Sequence, residues 1–187
     1  MNKQRLLMMI EVAIFAAIGF ILDKLSFSIW AQGGSISLVM VPIVLMAMRW
    51  GTLPGLATGL IVGVLQVLTG ASILTPLQGF LDYFFAFTIV GIAGIFRPMV
   101  IRASKQKKDG AMLGWILVGT AIGGILRLIS HTVAGAVFFA SYAGDQNPWI
   151  YSVVYNSSYM IPAIILTAVV IYLLFRAAPK LFVQKTY

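Results

Sequence analysis

Residues 127–159 read RLISHTVAGAVFFASYAGDQNPWIYSVVYNSSY. Two apolar runs meet here at a polar turn, Gly144-Asp145-Gln146-Asn147-Pro148. The first run carries Arg127, Ser130 and His131, the one histidine of the chain. The second opens with Trp149, Tyr151, Tyr155, Asn156 and Tyr159. Followed outward, the runs reach back to Met112 and on to Phe175. Each exceeds the roughly 20 apolar residues that a bilayer crossing needs. The stretch therefore predicts a pair of membrane helices with polar and aromatic groups gathered at one depth.

The rest of the chain agrees. It has 187 residues, 60% hydrophobic and 10% charged, whereas soluble domains carry about 25% charged residues. So few charges cannot cover a soluble surface, and the chain reads as a single six-helix membrane domain, residues 1–187, set in a lipid bilayer. The net charge of +8 does not indicate nucleic acid, because the basic residues lie between hydrophobic runs and not along one face. With no cysteine, disulfides and Cys-based metal sites are excluded. The N-terminal MNKQRLLMMIEVAIFAAIGFIL lacks a convincing cleavage site and reads as a retained first helix.

The predicted spans are Leu6–Leu25, Ile36–Met48, Leu53–Leu68, Leu77–Phe96, Met112–Tyr142 and Trp149–Phe175. The second is short: at 1.5 Å per residue it reaches only about 20 Å. Six spans place both termini on one side. All basic residues except Lys24 and Arg127 then fall on that side, which the positive-inside rule assigns to the cytoplasm. Glu11 is expected near the cytoplasmic end of the first helix, facing protein or the interface. Small residues four apart mark close packing: Ala13 and Ala17, then Gly55, Gly59 and Gly63, then Gly119 and Gly123. Each set serves either packing inside the fold or the docking of a partner. No repeat relates the two halves, which argues against an inverted-repeat transporter.

With this topology the polar groups converge in the outer half of the bilayer. Gln78, Asp82 and Tyr83 lie in the first turns of the fourth helix, and Tyr151, Tyr155, Asn156 and Tyr159 in those of the sixth. His131 lies about three turns below the outer end of the fifth. A carboxylate within a span is expensive and points to function, with a partner. The structural alternative for Asp82 is an ion pair with Arg127. Flat rings at Trp30, Phe138, Phe139 and Trp149 complete the set. A carboxylate, an imidazole, an amide and phenols among aromatic faces suit a small, flat, nitrogen-rich ligand, cationic or neutral. An intramembrane hydrolase is disfavoured: no G-x-S-x-G or H-E-x-x-H occurs. No Walker A motif occurs either, so this chain does not hydrolyse ATP itself.

The ordered motifs carry a family resemblance. They are Trp30-Ala31-Gln32-Gly33-Gly34-Ser35-Ile36-Ser37 with Val41-Pro42, Leu81-Asp82-Tyr83 with Ala86-Phe87, Arg127-x-x-Ser130-His131, and Tyr151-x-x-x-Tyr155-Asn156-x-x-Tyr159-Met160-x-Pro162. In this order, over essentially the whole chain, the sequence resembles the thiamine-specific substrate-binding (S) components of energy-coupling factor (ECF) transporters, the ThiT/YuaJ type. The resemblance implies an all-α S-component fold in the bacterial plasma membrane that binds thiamine from outside. It implies partners as well: a transmembrane coupling protein and two cytoplasmic ATPase subunits, which use the ATP, with no cofactor in this chain. The implied thiamine contacts are Trp30, Asp82, Tyr83, His131, Phe139, Tyr151 and Asn156, and the implied docking pair on the coupling protein is Ala13 and Ala17. Asp82 stands where relatives carry the longer Glu, and Phe139 where the family has a stacking tryptophan. An S component for another vitamin or a thiamine precursor, and a membrane scaffold using its glycine ladders, are the competing readings.

Overall fold

The computed structural model describes residues 3–28, 34–179 and 182. Among them are six helices: α1 (Lys3–Lys24), α2 (Met40–Trp50), α3 (Thr52–Leu68), α4 (Pro76–Lys105), α5 (Asp109–Phe138) and α6 (Pro148–Ala177). Four of them, α1, α4, α5 and α6, are long and apolar enough to cross a membrane. The chain is a multi-pass membrane protein.

The short α2 has 11 residues, about 16 Å of helix. It starts at Met40 and not at Ile36, because Ser35–Ile36 (β2) pair antiparallel with Phe27–Ser28 (β1) in a two-stranded ribbon. The length is tolerable because α2 is enclosed: Met40, Val41, Ile43, Val44, Met46, Ala47 and Met48 are all buried. Packed against α1, α3, α4 and α6, it exposes little backbone to lipid. Gly51 alone joins it to α3, at φ 109°, a conformation that suits glycine.

α4 is longer than the predicted span, and Arg97, Arg102 and Lys105 ride on its extension. It is also irregular. Phe80–Phe85 form a π-helical turn, and Val90–Phe96 tighten to 3₁₀ geometry just before Pro98. Pro98 has no N–H, and its ring displaces the carbonyl four residues back. The predicted end of α5 at Tyr142 is replaced by helix to Phe138 and a 3₁₀ turn over Ala140–Ala143.

The glycine ladders are used inside the fold. Gly55 packs on Gly91 of α4, Gly59 on the Phe87 carbonyl and Gly63 on the Tyr83 carbonyl. From the other side Gly119 and Gly123 of α5 approach Ala93 and Val90. α4 is thus clamped between α3 and α5 at backbone contact, the close approach that small residues permit in lipid. Those surfaces are not free for a scaffold's partner. Gly59→Ala should destabilise the protein by about 1–3 kcal/mol, since neither backbone can yield; a thermal melt in detergent with an unchanged midpoint would contradict this packing.

At the basic end, Glu11 accepts from Arg49 Nε and Nη2 (2.6 and 2.7 Å) and from Trp50 Nε1 (2.6 Å). Arg97 Nε donates to the Arg49 carbonyl at 3.0 Å. Glu11 faces protein, as expected, and ties α1 to the α2–α3 corner, while Arg97 ties α4 to it. On α1, Val12, Ala16 and Gly19 face inward, while Ala13 and Ala17 lie on the exposed face.

Candidate functional site

At the end opposite Arg49 the bundle opens into a cavity of about 490 Å³, walled by the ends of α1, α3, α4, α5 and α6 and by β2. Local sequence sets the two helix starts that build it. Asn147 caps α6, its Oδ1 accepting from Trp149 N at 2.9 Å, with Pro148 at the first helical position. Thr75 caps α4 in the same way, accepting from Gln78 N at 3.2 Å, ahead of Pro76.

Asp82 and Tyr83 sit on the π-helical turn of α4. The Ala86 N–H reaches back five residues to Leu81 O, which also accepts from Ser130 Oγ at 2.7 Å. Such turns occur often at functional sites. Here the turn is anchored to α5 by Ser130, one position before His131. Tyr83 OH donates to Ser72 O at 3.2 Å, fixing the α3–α4 loop over the cavity.

The structural alternative for Asp82, a direct ion pair with Arg127, is replaced by a relay. Arg127 Nε donates to His131 Nε2 at 3.2 Å, and His131 Nδ1 lies 2.8 Å from Asp82 Oδ1. A guanidinium can only donate, so Nε2 is the acceptor and the proton sits on Nδ1, from which it is donated to Asp82. Gln78 Nε2 donates to the other oxygen, Asp82 Oδ2, at 2.7 Å. Arg127 itself is buried, with its guanidinium 4.3 Å from the Phe87 ring centroid. Both carboxylate oxygens are held, yet each retains a lone pair for a further donor.

The aromatic wall comes from α6 and the end of α5. Tyr151 and Tyr155 stack at 6.0 Å between centroids, and Tyr155 meets Tyr159 edge-on at 5.9 Å. Phe139 stacks on Tyr142 at 6.1 Å. Tyr155 OH accepts from Gly34 N at 2.7 Å, joining the first loop to α6. Asn156 is buried. Its Nδ2 donates to Ser152 O (2.8 Å) and Ser152 Oγ (3.1 Å), and its Oδ1 accepts from Tyr159 OH at 2.5 Å. It lines the cavity with its polar atoms already engaged.

Of the sequence-derived candidates, Asp82, Tyr83, His131, Phe139, Tyr151 and Asn156 all line this cavity. Trp30 lies outside the described residues. Trp149 and Phe138 do not line the cavity, and Trp149 is exposed. Two residues along a helix is about 200° of rotation, so Trp149 cannot share a face with Tyr151. Asp23 and Gln66 were missed. Asp23, at the end of α1, lines the cavity and accepts from Gln66 Nε2 of α3. The available signals were a carboxylate directly after an apolar run and a lone amide within Leu53–Leu68.

Comparison with known proteins places these features in context. Residues 9–183 match the family described as Thiamine transporter protein (Thia_YuaJ). The thiamine transporter ThiT of Bacillus subtilis (strain 168) is 42% identical over 184 residues, covering 96% of each chain. The thiamine transporter ThiT of Lacticaseibacillus paracasei is 32% identical, covering 98% of this chain and 94% of its own. Among solved structures, ThiT from Listeria monocytogenes superposes with a TM-score of 0.91 at 32% identity, covering 97% of this chain and 100% of that one. The S component of a bacterial ECF transporter superposes with a TM-score of 0.63 at 18% identity, over 96% and 99% of the two chains, and so shares the fold.

Proposed function

Because the chain belongs to the thiamine transporter family (Thia_YuaJ), we propose that it is the S component of an ECF transporter and that its cavity captures thiamine from outside the cell. The chain is then a transporter subunit and not an enzyme. A transmembrane coupling protein and two cytoplasmic ATPases in the bacterial plasma membrane supply the ATP-driven step. The observation that carries the reading is the Asp82 carboxylate, held by His131 and Gln78 at 2.8 and 2.7 Å within an aromatic cavity.

The chemistry of the ligand fits that arrangement. The free lone pairs of Asp82 require donors, and the N–H donors of thiamine are those of its aminopyrimidine. The carboxylate therefore takes the amino group. The thiazolium is a flat cation without N–H, suited to the faces of Phe139, Tyr142, Tyr151 and Tyr155. Tyr83 and Asn156 shape the pyrimidine side, and Trp30 is assigned to the ligand through the family motif alone.

Titration of the purified protein with thiamine, riboflavin and biotin, followed by calorimetry, tests the proposal. Tight binding of thiamine alone is expected; equal binding of the three, or none, would overturn it. Phe139→Trp gives a second check. Tryptophan offers the stronger cation–π face, so thiamine should bind about 2- to 5-fold more tightly. A weakened complex would remove Phe139 from the cation's wall.

A further inference from the structure

Gln78 is buried, at 1% exposure, and both polar atoms of its side chain have partners. Its Oε1 accepts from Leu74 N at 2.9 Å. That contact settles the orientation of the amide, because an N–H must meet the oxygen and not the NH₂. The NH₂ is thereby turned onto Asp82 Oδ2 at 2.7 Å. The residue is itself placed by the Thr75 cap, through its own N–H at 3.2 Å.

The Asp82 side chain needs this help. The last torsion of an aspartate is broad and roughly two-fold, so a single partner leaves the carboxylate plane free to swing. His131 Nδ1 grips Oδ1 from α5, and Gln78 grips Oδ2 from one turn earlier in α4. Two grips fix the plane and hence the direction of the lone pairs left for a ligand. Gln78 lies one helical turn from Asp82, the spacing at which side chains on one face meet.

We propose that Gln78 is a positioning residue for ligand selectivity: it aims the Asp82 carboxylate so that the site prefers an amino group over an oxo group on the bound heterocycle. This rests on the reading of Asp82 as the partner of the aminopyrimidine. Gln78 acts through Asp82, and its loss frees the carboxylate without removing it. An oxo group presents an acceptor where the carboxylate demands a donor, so only a well-aimed carboxylate discriminates strongly against it.

The test compares thiamine with its 4-oxo analogue, oxythiamine, on the wild-type protein and on Gln78→Met, Gln78→Glu and Asp82→Ala. Gln78→Met removes the donor at similar size. Gln78→Glu retains the acceptor for Leu74 N–H while placing a second carboxylate beside Asp82, and it carries the test should the first variant not fold. The wild-type preference for thiamine over oxythiamine should fall by about 10-fold or more in either Gln78 variant, the worth of a hydrogen bond to a charged group. Oxythiamine affinity itself should change by less than about 3-fold. Equal weakening of both ligands, or an unchanged ratio, while Asp82→Ala still abolishes the preference, overturns the role of Gln78 alone. An unchanged ratio in Asp82→Ala overturns the assignment of Asp82 to the amino group, and the role of Gln78 with it.

Discussion

Asp82→Ala should weaken thiamine binding by roughly 30- to 5000-fold, the cost of removing one partner from a desolvated, hydrogen-bonded charge interaction at about 2–5 kcal/mol. The loss has two sources. The ligand's amino group forfeits its acceptor, and His131 Nδ1 and Gln78 Nε2, now 2.8 and 2.7 Å from the carboxylate oxygens, are left donating into a void. Buried donors without acceptors are expensive in their own right. Asp82→Asn keeps the shape and one acceptor, so its loss should be smaller than that of Asp82→Ala. Calorimetric titration of the two variants against wild type checks the order. Full affinity in Asp82→Ala would show that the carboxylate is a structural bridge between α4 and α5 and nothing more.

The second large effect concerns transport and leaves binding intact. Ala13 and Ala17 sit on the exposed face of α1, four residues apart, whereas Val12, Ala16 and Gly19 point into the bundle. Neither alanine lines the cavity. A small-residue face toward lipid lets another helix approach closely, and the proposed coupling protein is the fitting occupant. Ala17→Trp places an indole at that contact. Overpacking costs about 1–3 kcal/mol per site, so ATP-driven thiamine uptake in cells should fall about tenfold or more. Thiamine affinity of the purified variant should stay within about 2-fold of wild type. Unchanged uptake would remove α1 from the docking surface; lost affinity would mean that α1 communicates with the cavity.

Much of this was readable in the residues, and the exceptions have physical causes. Long apolar runs and one-sided basic residues sufficed for the four full-length helices, because hydropathy in lipid is nearly a structural rule. The depth argument was enough to bring Asp82, His131, Tyr151 and Asn156 to one cavity. Boundaries failed where pairing competes with helix: Ile36 is apolar enough to open α2, but it pairs with Phe27 of β1 instead. The π-helical turn left no trace in composition, since it depends on how α4 seats against Gly63 and Ser130. For the same reason the Arg127–His131–Asp82–Gln78 relay was only half visible. The sequence put Arg127 and His131 on one helix and Gln78 and Asp82 in the first turns of another, but only the packed helices show that His131 stands between the two charges.

The single-residue corner at Gly51 bears on how the protein is made. α2 has 11 residues, too few to partition into a bilayer unaided, and α3 has 17, close to the lower limit. Joined back to back at Gly51, the two most readily enter as one hairpin during synthesis. α2 would still lack its surroundings at that moment, because α4 and α6, which enclose it, come later in the chain. The innermost helix is therefore among the earliest synthesised and the last to be sealed, and a nascent chain stalled before α6 holds an unfinished core.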